Sequence, residues 1–269
     1  MNSFIDTHAH LRCDIDWRVM DEIAESGLLK QAWLMHCPVP AHGYASEDEV
    51  LACAERYPGM YVPFGFIDFS KGVDEVARLK DKGFVGLKAI SPVRDYDAEE
   101  HFPIYAKAQE LGMPILFHVG VILRGFGNAL ECKGFPGPTK MKPVMLDTIS
   151  DAFPSLKLIQ GHMGVPWVNE LWESIYFYPN VSCSVCGLID YEWLIQKLGC
   201  KCSNGTPFTR KMMFGADCFY GDRDSWNDVK ESSYFMELFF RKVGRTFDWG
   251  SSCRDFMENN AANFISSDK

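Results

Sequence analysis

SFIDTHAH, residues 3–10, is the stretch on which the fold turns. A short apolar run stops at Thr7-His8-Ala9-His10, where a dinucleotide-binding sheet would carry a glycine-rich phosphate turn. That junction disfavours an open doubly wound sheet. Seven more apolar runs follow: QAWLMHC (31–37), MYVPFGFID (60–68), FVGLKAI (84–90), PILFHVG (114–120), LKLIQGH (156–162), NVSCSV (180–185) and KMMFGAD (211–217). Most are continuously apolar rather than alternating, as strands buried on both faces should be. Helical spacing lies between them, near 16–29, 72–82, 98–111, 143–153, 165–177 and 191–198. Ser46-Glu47-Asp48-Glu49 reads as a capping box, and that helix stops before Pro58-Gly59. Eight runs in βα order predict an α/β fold, a (β/α)8 TIM barrel, as one domain over residues 1–269.

Two regions exceed simple connectors. Residues 121–142 contain four glycines and two prolines without a period. They leave the fifth strand at the end where barrel sites lie, so a lid is expected. Beyond the eighth run, additional C-terminal helices are expected near 224–243 and 254–264, covering the barrel wall or forming an interface, with a homo-oligomer as one outcome.

Composition narrows the function. The 269 residues are 47% apolar and 23% charged, as in an ordinary globular protein. The formal charge of −9 repels phosphates and anionic lipid, and no basic stripe is present, so neither nucleic acid nor membrane is an expected partner. The N-terminus lacks a signal-peptide pattern, and no window of about 18 apolar residues is found. Ten cysteines, many in apolar segments, suggest reduced thiols and a cytoplasmic protein. Cys183 and Cys186 form a CxxC, but Cys200 and Cys202 are too closely spaced for a zinc ribbon, so these are read as core or surface thiols.

Of seven histidines, His8, His10, His118 and His162 fall at the carboxyl ends of predicted strands one, five and six. In a barrel those ends meet on one face. Asp217 lies just past strand eight, which closure places beside strand one. His8 and His10 are two apart and face one side, so they can chelate one ion. His118 and Asp217 complete a four-ligand set suited to one divalent ion, zinc first, with manganese, iron or cobalt as alternatives. A strand histidine taken singly is more often a satisfied core residue; the coincidence of all these ends outweighs that reading. His36 is a weaker candidate for substrate contact, His42 and His101 read as ordinary, and Asp6 reads as structural, pointing away from His8.

These motifs, FIDTHAHL, GLKAISP, ILFHVG, LIQGHMG and MMFGADCFYG, span most of the chain and resemble the amidohydrolase superfamily. Within it they resemble the branch that includes aminocarboxymuconate semialdehyde decarboxylase. The resemblance implies a barrel with one divalent ion, with His162 as a catalytic partner beside the metal water. Related branches bridge two metals with a carbamylated lysine at strand four, near Lys88. A lysine that binds an anionic substrate or lines the barrel mouth is preferred here.

Two mechanisms fit. In hydrolysis of a lactone, amide or ester, Asp217 takes a proton from a metal-activated water and His162 stabilises the oxyanion or donates a proton. The alternative is non-oxidative decarboxylation of an unsaturated or aromatic carboxylic acid, with proton delivery from Asp217 or through His162. Either takes a small-molecule substrate, for which Arg12, Lys88 and Arg124 are candidate contacts. Hydrolysis is the first expectation because the chain is short beside the typical decarboxylases of the branch. A binding protein on an old enzyme scaffold is the third reading, and the complete polar set argues against it.

Overall fold

The computed structural model describes residues 2–122, 138–247 and 252–266. Its strands are β1 (Phe4–Leu11), β2 (Leu29–Met35), β3 (Tyr61–Phe66), β4 (Gly86–Ala89), β5 (Ile115–His118), β6 (Leu158–Gly161), β7 (Val181–Val185), β8 (Met212–Phe214) and β9 (Cys218–Tyr220). They form one sheet ordered β8-β7-β6-β5-β4-β3-β2-β1-β9, and every paired strand is parallel. β8 and β9 are two halves of a single eighth strand, interrupted at Gly215, Ala216 and Asp217. The first half pairs with β7 and the second with β1. The ring therefore closes through a broken strand, giving the expected barrel and gathering the carboxyl ends of its strands on one face.

Helices α1 (Trp17–Glu25), α2 (Glu47–Arg56), α3 (Val73–Lys82), α4 (Phe102–Glu110), α5 (Met145–Ala152), α6 (Val168–Phe177) and α7 (Tyr191–Leu198) follow the first seven strands. Their starts are chemical. Asp16 and Asp190 accept backbone N–H bonds from Arg18 and Trp193, and Ser46 and Glu49 make the reciprocal capping box. α1 ends four residues before the expected limit, because Ser26-Gly27 turns the chain, with Gly27 at φ +66°, and β2 has begun by Leu29.

The core has two layers. Ile5, Trp33, Met35, Val62, Phe64, Leu116, Ile159 and Met213 fill the barrel, while the larger cluster lies between strands and helices. Inside, Trp33 stacks on Phe64 with centroids 5.4 Å apart. Gly86 is the glycine this ring requires: a Cβ there would stand 2.4 Å from Phe64 Cε1. Gly86→Ala should therefore destabilise the protein by about 1 to 3 kcal/mol through overpacking. A urea unfolding midpoint equal to that of the parent would show that the ring yields freely.

The C-terminal elements divide the roles expected of them. α8 (Arg223–Phe247) covers the wall beside β1 and β9, with Trp226, Val229, Met236 and Phe240 buried. Phe235, on the same helix, is half exposed. Residues 252–259 join that outer layer, with Phe256 stacked on Phe240 at 4.1 Å, and residues 260–266 plug the amino-terminal end of the barrel. Ala261 joins the interior cluster, and Asn260 Nδ2 donates to the carbonyls of Thr209 and Met212, each at 2.7 Å. The interior would otherwise be open to water at that end. No described helix is long and apolar enough to cross a membrane. Most of the expected lid, and with it Arg124, lies outside the described residues.

Candidate functional site

The polar cluster at the carboxyl face draws on four strands: His8 and His10 from β1, His118 from β5, His162 just after β6, and Asp217 from the break in the eighth strand. β1 is irregular, with Asp6 paired to Ala32 and Ala9 to Leu34, three steps against two. That bulge lets Asp6 turn away from His8, where strict alternation would put them on one face. Asp6 braces the strand break: Oδ1 accepts the backbone N–H groups of His8 (3.0 Å) and Ala216 (2.9 Å), and Oδ2 accepts the Tyr220 hydroxyl (3.0 Å). Burial pushes its carboxyl up to about 7. Asp217 N–H donates to the His8 carbonyl at 2.7 Å, tying the break to β1.

Asp217 and His162 both sit in left-handed backbone, at φ +56° and +68°, as do Met163 and Ser91. Non-glycine residues in that region carry strain that the surrounding structure must sustain, and such strain collects where side chains are aimed for function.

The donor atoms converge. His10 Nδ1–H donates to the Met35 carbonyl at 3.0 Å, which leaves the Nε2 lone pair 3.4 Å from Asp217 Oδ1. His8 Nε2 lies 3.5 Å from the same oxygen and 2.9 Å from Lys88 Nζ. His162 Nδ1 lies 3.4 Å from Asp217 Oδ2. Burial pulls His8 and His118 well below the usual imidazole range and His162 down to about 4. These rings are neutral at physiological pH and offer lone pairs. Burial pushes the Asp217 carboxyl up, but His162, His8 and His10 outweigh it and hold the group well below the usual carboxylate range.

The donor set fits a divalent ion. Bonds of about 2.0 to 2.1 Å in a tetrahedral site separate neighbouring ligand atoms by roughly 3.3 to 3.5 Å. The His8 and His10 distances to Asp217 have that spacing. These three residues could hold one ion, with the Met35 carbonyl fixing the tautomer of His10. His118 shares the cavity, with its ring centroid 4.1 Å from that of His162. Its Nε2 donates to the Val121 carbonyl at 2.8 Å, and it stands outside the close-set trio of His8, His10 and Asp217.

The candidate substrate contacts separate. Lys88 is buried and lines the cavity, and burial lowers its amine from the usual lysine range. Arg12 does not line it: the guanidinium pairs with Asp14 at 2.7 Å and Asp222 at 3.2 Å. His36 is buried but also stands apart from the lining. Cys186 was read from the sequence only as one of a pair of core or surface thiols, yet its Sγ lies 3.1 Å from His8 Nδ1. Its place at the end of the seventh apolar run was the available signal; the CxxC spacing pointed elsewhere. The cavity measures about 440 Å³, and its lining also includes Cys37, Tyr44, Ile90, Val121, Ile122 and Leu188.

A family model described as amidohydrolase matches residues 5–235. No protein with a curated description matches the chain. Among solved structures, an uncharacterised TIM-barrel protein from Bordetella bronchiseptica is 18% identical with a TM-score of 0.69, covering 98% of both chains. A dihydroxybenzoic acid decarboxylase from a Polaromonas species, solved with manganese and the inhibitor 2-nitroresorcinol, is 16% identical with a TM-score of 0.64, covering 100% of this chain and 98% of that one. A candidate 2-pyrone-4,6-dicarboxylic acid hydrolase from Pseudomonas putida is 14% identical with a TM-score of 0.62, covering 100% of this chain and 99% of its own.

Proposed function

This chain belongs to the amidohydrolase family, and on that premise we propose that it is a divalent-metal-dependent carboxy-lyase that removes carbon dioxide from a small aromatic or unsaturated carboxylic acid. The observation that carries the reading is the mixed lining of one cavity. His8, His10, His118, His162, Asp217 and the buried Lys88 share it with Ile90, Val121, Ile122 and Leu188. Such a pocket suits a compact acid with an apolar body. The manganese-bound decarboxylase among the similar structures supports it by analogy.

His8, His10 and Asp217 would hold the ion, with His118 beside them, and manganese or zinc suits this nitrogen and carboxylate set. When bound, the ion would supply a Lewis acid that neutralises charge on a substrate oxygen. The remaining work falls to this chain's own groups. Lys88 contributes a positive charge when protonated and draws the carboxylate inward. Asp217 Oδ2 and His162 Nδ1 form the proton-handling pair. Loss of carbon dioxide leaves an electron pair on the carbon that bore the carboxyl, and a proton taken up from solvent would reach that carbon by way of Asp217 and His162. Ile90, Ile122 and Leu188 would exclude bulk water and orient the ring.

Hydrolysis of a lactone, amide or ester is the second reading. It is favoured by the same proton-handling pair, which could take a proton from water, and by the candidate hydrolase among the similar structures. A panel of hydroxybenzoic acids, unsaturated acids, lactones and amides, assayed with added manganese or zinc, tests both. The expected result is carbon dioxide and the decarboxylated product from an acid. Ring opening or amide cleavage without carbon dioxide would replace the carboxy-lyase reading with hydrolysis.

A further inference from the structure

We propose that the chain carries a second, softer metal site behind the first, formed by the thiolate of Cys186 with the Nδ1 atoms of His8 and His162. Cys186 Sγ lies 3.1 Å from His8 Nδ1 and 3.8 Å from His162 Nδ1, and the three donors are mutually close. A tetrahedral ion with a sulfur bond of about 2.3 Å and nitrogen bonds of about 2.0 to 2.1 Å sets sulfur and nitrogen roughly 3.5 to 3.6 Å apart. The two observed distances bracket that value. Gly187 keeps the approach open. Its φ is +65°, and a Cβ there would stand 2.8 Å from His162 Nδ1.

The two donor sets differ in kind. Imidazole nitrogens and the Asp217 carboxylate take borderline or harder ions, whereas a thiolate selects soft ones such as cadmium or copper(I). They also share His8, through Nε2 at the front and Nδ1 behind. A neutral imidazole has one N–H and one lone pair, so His8 serves one set at a time. Occupancy behind converts the thiol to a thiolate and releases one proton to solvent. It withdraws His8 from the front ion and His162 from Asp217, so a soft ion acts here as an inhibitor. The donor geometry behind carries this inference; only the competition with a front ion rests on the proposed function.

Cadmium titrated into the full chain, followed by its thiolate charge-transfer absorbance, tests the site. A parallel titration of manganese-loaded protein follows released manganese by electron paramagnetic resonance. Cys186→Ser is expected to weaken cadmium binding at least about tenfold and remove the corresponding absorbance, while manganese affinity stays within about threefold. Cys253→Ser, a thiol remote from these donors, should leave the tight class intact. Cadmium should expel manganese from the parent protein. An unchanged cadmium isotherm in Cys186→Ser, or cadmium binding that leaves manganese in place, would overturn the proposal. If manganese fails to bind the parent while the Cys186-dependent cadmium site persists, the front-ion reading fails and this site stands.

Discussion

His10→Ala is expected to lower affinity for a divalent ion at least about a thousandfold, or about 4 kcal/mol at 1.36 kcal/mol per tenfold. The front set has three close donors, and His10 is the one whose second nitrogen is committed to a backbone carbonyl. That bond fixes ring and tautomer before any ion arrives, so the lone pair is already aimed. Removing the ring leaves His8 and Asp217, and His8 Nε2 also faces Lys88 at 2.9 Å. His118 does not replace it readily, because turning its Nε2 inward would forfeit the Val121 carbonyl bond. The measurement is metal content after purification without chelator, together with a manganese titration read by paramagnetic resonance. His10→Ala protein that keeps one tightly held equivalent would sink the assignment of the ion to this trio.

The barrel was legible because strands buried on both faces cannot hide their composition. Each of the eight apolar runs overlaps a strand, and the capping box at Ser46 is present as read. What escaped depends on contacts distant in sequence. The eighth strand breaks at Gly215–Asp217 because Asp6, more than two hundred residues away, captures the Ala216 N–H. The bulge that turns Asp6 from His8 belongs to the pairing of β1 with β2 and leaves no local mark. Residues 254–264 read as a helix on the barrel wall or at an interface, and only a finished barrel shows that residues 260–266 fill its open end.

The site follows the same division. Strand ends predicted where His8, His10, His118, His162 and Asp217 would meet, since closure follows from the run order. Side-chain direction did not come with it. Arg12, two residues beyond His10, is already past β1, and its backbone bridges to Tyr44 while its side chain finds Asp14 and Asp222. The inward aim of Lys88 could be fixed only once β4 was bounded, with Leu87 and Ala89 packed in the outer layer on either side of it.

Asp217→Asn should lower kcat by about a thousandfold, within the range that a positioned acid–base group contributes, with metal kept saturating so that weaker binding is not mistaken for lost chemistry. Asparagine is the informative replacement. Asp217 holds φ +56°, a conformation that asparagine tolerates better than alanine, so the backbone strain changes little. The amide keeps the shape and one acceptor oxygen but cannot carry the proton exchanged with His162 Nδ1 across 3.4 Å. The urea midpoint should stay near that of the parent, while Asp217→Ala should lower both stability and turnover. A substrate identified by the product assay is needed for the rate, but the stability comparison is not so bound. A kcat for Asp217→Asn within tenfold of the parent, at saturating metal and substrate, would remove Asp217 from proton transfer and leave it as a ligand only. Residual turnover of His162→Asn that keeps the pH profile of the parent would point the same way, since the pair titrates as a unit or does not act as one.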